Sequence, residues 1–201
     1  MDLILIVLAG YLMGSVPFAL VVGKLFYKTD IRNHGSGNLG GGNTGRVLGA
    51  KAGVAVMTLD LLKVTAVVLL AKLLTGTELA AALGALSAAA GHCWPVFAKF
   101  RGGKAVATLY GFLFGLWVCL GHSPLFFFLP LAVFLLTLKL TKVIALASIV
   151  SSLAAAVYGL VTLGPGPAAA ALVIFSVVIL VRHRSNLARV KEGRENKISW
   201  M

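Results

Sequence analysis

A chain of 201 residues that is 59% hydrophobic and 12% charged, with a mean hydropathy of +0.97, is too oily for a soluble globular domain, in which about 25% of residues carry charge. Its net charge of +12 would suggest nucleic acid in a soluble protein. Here the basic residues fall between apolar runs and lack the aromatic interleaving of a nucleic-acid surface, so no nucleic-acid partner is expected; they are placed to set membrane topology and to meet anionic headgroups or substrates.

The apolar runs predict an all-α, polytopic membrane protein with seven transmembrane helices in a single domain over 1–201. A first span covers about 2 to 22; it begins with Asp2, no basic segment or small-residue cleavage site accompanies it, and it is read as a retained helix. A glycine-rich loop follows. Spans two and three cover about 47–71 and 79–97, and span four runs from the Gly102-Gly103-Lys104 segment to about 120. Spans five to seven cover about 124–138, 143–163 and 166–181, the fifth and seventh being shorter than the roughly 20 residues a span prefers. On this count every Lys and Arg except Lys63 and Lys72 lies on one side. The positive-inside rule then puts the N-terminus outside and the C-terminus in the cytoplasm. Gly10 and Gly14, and Gly111 and Gly115, have the spacing of close helix packing, a pattern common by chance in glycine-rich membrane chains. Cys93 and Cys119 sit inside apolar runs and read as small buried hydrophobes.

Three polar clusters fall on the basic side. The first is Gly35-Ser36-Gly37-Asn38-Leu39-Gly40-Gly41-Gly42-Asn43-Thr44-Gly45-Arg46. Glycine accepts positive φ without steric cost, so such a segment can curl its backbone N–H groups into an anion nest. Gly35-x-Gly37-x-x-Gly40 matches a dinucleotide fingerprint as a string, but a membrane helix precedes it instead of a strand, which removes that reading. A plain linker would explain the glycines without explaining Asn38, Asn43 and Arg46. The second cluster runs from Gly91-His92-Cys93-Trp94-Pro95 to Arg101-Gly102-Gly103-Lys104, where a helix N-terminus and a lysine together suit phosphate. It is not a Walker loop, because Ala105 stands where a Ser or Thr would reach magnesium. The third, His183 to Lys197, can bring Asn186, Arg189 and Gly193 onto one helical face. Taken singly, each cluster could be a turn or a lipid-binding basic tail; three on one face argue for a shared site. Inside the second span Asp60 and Lys63 lie one turn apart, either as a simple i,i+3 ion pair or as part of a polar cavity.

The six acidic residues and four histidines form no metal-cage spacing, no His-x4-Asp acyltransferase motif and no paired-aspartate CDP-alcohol motif. A magnesium-dependent phosphotransferase is disfavoured, and neither a metal nor another cofactor is expected. What remains suits two phosphorylated substrates, one of them lipidic. An anion transporter is the competing class, although the inverted repeats it would favour are not visible. A structural lipid-binding protein is a third, and would need no glycine nest.

Ser36-Gly37-Asn38-Leu39-Gly40, Gly91-His92-x-Trp94-Pro95-Val96-Phe97 through Arg101-Gly102-Gly103-Lys104, and His183-Arg184-Ser185-Asn186-Leu187-x-Arg189 through Gly193-x-Glu195-x-Lys197 resemble the motifs of the bacterial glycerol-3-phosphate acyltransferases that use acyl phosphate as donor, the PlsY family. The resemblance spans nearly the whole chain. It implies a seven-span protein of the bacterial inner membrane, with its active site on the cytoplasmic face. It also implies acyl transfer from acyl phosphate to the sn-1 hydroxyl of glycerol 3-phosphate, giving lysophosphatidic acid and phosphate. Two departures stand out: the family's usual Ala-Thr-Asn is Gly41-Gly42-Asn43, which removes a hydroxyl at 42, and its glycine after the motif lysine is Ala105, expected only to stiffen a helix start. On this reading Ser36, Gly37, Asn38, Gly40, Gly41 and Lys104 hold the donor phosphate, while Arg46, His183 and Asn186 hold glycerol 3-phosphate and Glu195 fixes the loop. Ser36, Asn38, Lys104, His183 and Asn186 are the catalytic candidates. Gly37, Gly40, Gly41, Asn43, Arg46, Gly102, Gly103, Arg189 and Glu195 are the binding candidates. The hydroxyl proton can pass to the donor's own phosphate or to His183, and a covalent acyl-Ser36 is a third route.

Overall fold

The computed structural model describes residues 2–198, and the described residues are helical with no strand. Among the described residues there are ten α-helices: α1 (Asp2–Gly14), α2 (Phe18–Tyr27), α3 (Gly41–Leu48), α4 (Ala50–Thr75), α5 (Glu78–Cys93), α6 (Val106–Val118), α7 (Leu125–Thr141), α8 (Ile144–Leu163), α9 (Pro167–Arg182) and α10 (Arg184–Lys191). The single run expected over 2–22 is broken at Ser15-Val16-Pro17, because proline has no N–H to continue the ladder. The chain then resumes as α2 to Tyr27. The second half of the expected glycine loop is also helical, as α3, so the second span starts at Ala50 and not near 47.

Among the described residues, four segments are long and apolar enough to cross a membrane: Asp2–Tyr27, Ala50–Thr75, Glu78–Ala98 and Ile144–Leu163. The α9–α10 pair, bent by 55°, passes only if taken together, and α6 and α7 are shorter apolar helices. With a rise of about 1.5 Å per residue, the 13 residues of α6 reach about 20 Å, less than the roughly 30 Å of a bilayer core. Its ends must therefore shelter among neighbours, and Phe112, Leu113 and Leu116 are fully buried.

Helices α1, α4 and α5 pack together; α4 packs on α6, α7 on α8, and α8 and α5 on α9. The glycine spacings are used. A Cβ at Gly10 would lie 2.6 Å from the Gly84 carbonyl, and one at Gly14 2.6 Å from Ala88 Cα, so α1 and α5 touch backbone to backbone. One at Gly115 would lie 2.9 Å from Val68, which closes α6 on α4. Larger side chains fill what remains, with Phe112 stacked on Phe175 at 5.7 Å. Buried hydroxyls tie helices together: Ser176 donates to the Ser152 carbonyl at 2.7 Å, and Tyr110 lies 2.6 Å from Ser151 Oγ, while among the described residues Ser15 Oγ has no partner. This frame brings the α2–α3 segment, the α5–α6 link and the α9–α10 junction to one end.

Candidate active site

The first motif is shaped by its own side chains. Asp30 caps a 3₁₀ turn at 31–33 by accepting from the Arg32 N–H at 3.1 Å, and the Arg32 guanidinium closes on it at 3.0 and 2.6 Å. That guanidinium holds the Asp30 carboxyl far below the usual carboxylate range. Gly35 and Gly37 then take φ of +59° and +68°, a conformation that favours glycine. Asn43, buried, clamps the curl: its Oδ1 accepts the Ser36 N–H at 2.9 Å and its Nδ2 donates to the His34 carbonyl at 3.1 Å. Both ends of that amide are spent on the loop, so Asn43 shapes the nest. Gly40 precedes α3 without a side-chain cap, so the helix opens with uncapped N–H groups at Gly41 and Gly42. A Cβ at Gly41 would lie 2.7 Å from the Gly53 carbonyl, so this glycine also lets α3 lie against α4. Ser36 and Arg46 are exposed on the resulting rim, and no hydrogen bond of either side chain is found among the described residues.

The second motif is held from three directions. Gly103 N–H donates to the His92 carbonyl at 2.9 Å. The Gly102 carbonyl accepts from Asn38 Nδ2 at 3.1 Å, which ties the first motif to the second. The Gly103 carbonyl accepts from Arg182 Nε at 3.1 Å and Nη2 at 2.8 Å, which ties in the end of α9. Gly102 and Gly103 are small for packing reasons. A Cβ on Gly102 would meet Pro95 Cδ at 2.5 Å, and one on Gly103 would lie 2.6 Å from His92 Cε1. Gly103→Ala should therefore lower kcat by about a hundredfold while the membrane-extracted protein still elutes as a folded species, since a misplacement near 1 Å costs that much. Helix α6 itself starts at Val106, and Ala105 sits at φ +61°. The expectation that Ala105 merely stiffens the helix start is thus corrected: an L-residue stands in a left-handed position at a cost of roughly 1 kcal/mol.

Lys104 projects from this turn onto Asn186, donating to its Oδ1. Asn186 Nδ2 donates to Glu195 Oε1 at 2.6 Å, and Arg189 Nε donates to Glu195 Oε2 at 2.7 Å. Glu195 thus uses both oxygens to hold Asn186 and Arg189 in register, from a C-terminal segment that Ile198 N–H fastens to the Lys142 carbonyl at 2.8 Å. Burial pushes Lys104 down to about 8; Glu195 opposes the shift, while the positive charges of Arg189, Arg182 and Arg46 add to it. Lys104 thus feels three guanidinium charges against one carboxylate, so positive charge is in excess around it. Because Lys104 loses its proton above that value, kcat/KM should fall about tenfold per pH unit above pH 8. Lys104→Arg, which stays charged, should move that limb upward, and an unmoved limb would assign it elsewhere.

His183 lies at the α9–α10 corner, buried, and its Nδ1–H donates to the Ile179 carbonyl at 2.8 Å. That bond fixes the tautomer and leaves Nε2 as an acceptor. Burial, with the charge of Lys104 beside it, lowers its pKa to about 4, so the ring is neutral at physiological pH.

Sequence reasoning gave no role to Arg182, counting it only as one basic residue after the last span. The structure makes it the bridge from α9 to the Gly102–Gly103 peptide, with its guanidinium 5.4 Å from the Trp94 ring. An arginine ending a span, paired in the sequence with Trp-Pro before a Gly-Gly, is the signal that was there to read. Among the described residues, no three His, Cys, Asp or Glu side chains converge as a metal cage.

The profile of the family described as glycerol-3-phosphate acyltransferase matches residues 4–193. A glycerol-3-phosphate acyltransferase of Geobacillus kaustophilus is 46% identical over 196 residues, covering 98% of this chain and 96% of that protein. One from Listeria monocytogenes is 44% identical over 203 residues, covering 100% and 98%. Among solved structures, the crystal structure of PlsY, an integral membrane glycerol 3-phosphate acyltransferase, in its glycerol 3-phosphate form superposes with a TM-score of 0.91 at 34% identity over 99% of this chain and 96% of that one. The lysophosphatidic acid form gives 0.89 at 32% identity, with the same coverage.

Proposed function

The chain belongs to the glycerol-3-phosphate acyltransferase family, and from that premise we propose that it moves an acyl group from acyl phosphate to the sn-1 hydroxyl of glycerol 3-phosphate, releasing lysophosphatidic acid and inorganic phosphate. The observation that carries this reading is the meeting of three segments at one basic site: the open N-terminus of α3, Lys104 on its braced Gly102–Gly103 turn, and the His183–Asn186 corner. Acyl phosphate is a mixed anhydride with a good leaving group already attached. Neutralising that leaving group and aligning the hydroxyl supply most of the rate.

Ser36, Gly37, Asn38, Gly40, Gly41 and Lys104 are assigned to the donor phosphate. Arg46, His183 and Asn186 are assigned to glycerol 3-phosphate, and Arg189 and Glu195 keep Asn186 in place. The hydroxyl oxygen attacks the acyl carbon, the bond from that carbon to the phosphate oxygen breaks, and the hydroxyl proton leaves with the phosphate. His183 at about 4 is too weak to take a proton outright, so it accepts a hydrogen bond from the hydroxyl through Nε2 and orients it. No hydrogen bond joins Ser36 Oγ to a histidine or carboxylate among the described residues, which favours direct transfer over an acyl-serine.

Purified protein given hexadecanoyl phosphate and glycerol 3-phosphate should form 1-acyl lysophosphatidic acid and one equivalent of phosphate, with no trappable acyl-enzyme. Turnover confined to hexadecanoyl-coenzyme A would overturn the donor assignment.

The protein is an integral membrane protein. We assign it seven spans in the bacterial inner membrane, with α6, α7 and α9 as short crossings and the site on the cytoplasmic face. The end of the molecule opposite the site carries Glu78, His122 and Lys72, where Glu78 accepts from the Ala168 N–H at 3.1 Å. A periplasm-active reporter fused after the C-terminus should be silent, and activity there would break this orientation.

A further inference from the structure

Inside the membrane region, α4 carries an ion pair that the reaction does not use directly. Lys63 Nζ donates to Asp60 Oδ1 at 2.6 Å, and both side chains are buried. The ammonium's other donors go to the Val16 carbonyl at 3.1 Å, in the break between α1 and α2, and to His92 Nδ1 at 3.2 Å. An ammonium has three N–H groups, and all three are committed. Asp60 Oδ1 also lies 3.5 Å from His92 Nδ1, while its Oδ2 has no partner among the described residues. A buried charge pair of this kind is expensive and adds little net stability over an apolar replacement, so its retention calls for another reason.

His92 is where that reason lies. One edge of its ring faces Lys63 and Asp60. The other edge lies where a Gly103 Cβ would be, 2.6 Å from Cε1 and 2.8 Å from Cδ2. Its carbonyl takes the Gly103 N–H. The His92 ring and backbone thus form the floor under the peptide that presents Lys104. We propose that Asp60 and Lys63 are positioning residues for the phosphate site: through His92 they set the height and tilt of Gly103, and hence the reach of Lys104. The same ammonium pins the α1–α2 break, so the broken first span and the phosphate turn share one anchor.

This rests on the reading of Lys104 as a phosphate ligand, and the test separates the two. The probe is inorganic phosphate as product inhibitor, with its Ki measured beside KM for hexadecanoyl phosphate and the thermal midpoint. The variant D60N/K63M removes both charges at similar volume. Its Ki for phosphate should rise about ten- to a hundredfold, the range that a displacement near 1 Å produces. In an H92Q background the same pair of changes should shift Ki by less than about twofold, because the coupling runs through His92. Effects that multiply in the two backgrounds, or a wild-type Ki in D60N/K63M, overturn the proposal. Should D60N/K63M fail to fold, K63R decides. It keeps the charge pair, but its planar fork cannot meet Asp60, Val16 and His92 together. A Ki raised at least about threefold in K63R supports the proposal, and a wild-type Ki overturns it. An unchanged Ki in Lys104→Met would instead strike the phosphate reading itself, whatever Asp60 and Lys63 do.

Discussion

Lys104→Met should lower kcat by about a hundred- to a thousandfold, the loss seen when one preorganised charge stabiliser is removed from an acyl-transfer site. The geometry says why the effect should be that large. Lys104 stands on a turn fixed by Asn38, His92 and Arg182, so its position is set before substrate arrives. It is half-buried, where a charge acts through a lower dielectric than in water. Its partner Asn186 is neutral and offers only a carbonyl oxygen, so a phosphate dianion outcompetes it. The change should be read in single-turnover kinetics with hexadecanoyl phosphate, alongside a thermal midpoint to show that the fold persists. A loss of less than about threefold would mean that the leaving phosphate is neutralised elsewhere.

His183→Ala should cost about a hundredfold in kcat/KM for glycerol 3-phosphate, through a buried hydroxyl acceptor lost at the point of attack. The ring is held by the Ile179 carbonyl on one nitrogen and offers the other to the site. With its pKa at about 4, no acid limb from this residue should appear between pH 5 and 8 in the wild-type profile. His183→Gln can still accept through its amide oxygen, and should keep most of kcat with KM for glycerol 3-phosphate raised. Complete loss of kcat in the glutamine variant, with binding intact, would make the imidazole a true base.

Much of this was legible in the sequence, and what was not has identifiable causes. The all-helical, membrane-embedded character follows from composition, which survives any detail of packing, whereas of the seven expected spans only four segments are long and apolar enough to cross a membrane by themselves among the described residues. The break at Pro17 falls inside an apolar run whose hydropathy over 2–22 reads as one span, and hydropathy does not register a lost N–H. Helix α3 was hidden because glycine is a poor helix former. It forms since Gly41 and Gly45 lie against Gly53 of α4, a tertiary contact that no local pattern announces. The same holds for Ala105, whose left-handed backbone is imposed by the turn around it.

The site residues divide in the same way. Asn38, Lys104, His183, Asn186 and Arg189 were singled out by residue type and place, and Glu195 by the family resemblance; Lys104, Asn186, Glu195 and Arg189 lie in one bonded network, Asn38 braces its turn through the Gly102 carbonyl, and His183 is held separately by the Ile179 carbonyl. Their individual partners were not readable, since Lys104 and Asn186 are separated by 82 positions. Asn43, Gly102 and Gly103, assigned to substrate binding from the sequence, turn out to spend their amide or their missing side chain on shaping the backbone. Arg182 was overlooked because a basic residue at the end of a span is what topology alone would place there.

The most direct measurement is the rate of phosphate release from hexadecanoyl phosphate in the presence of glycerol 3-phosphate, with purified protein in chelator-treated buffer. Backbone N–H groups, lysine and arginine are proposed to neutralise both phosphates unaided, so the rate should match that of the untreated enzyme. A rate that collapses on chelation and returns only when magnesium is added would contradict the account.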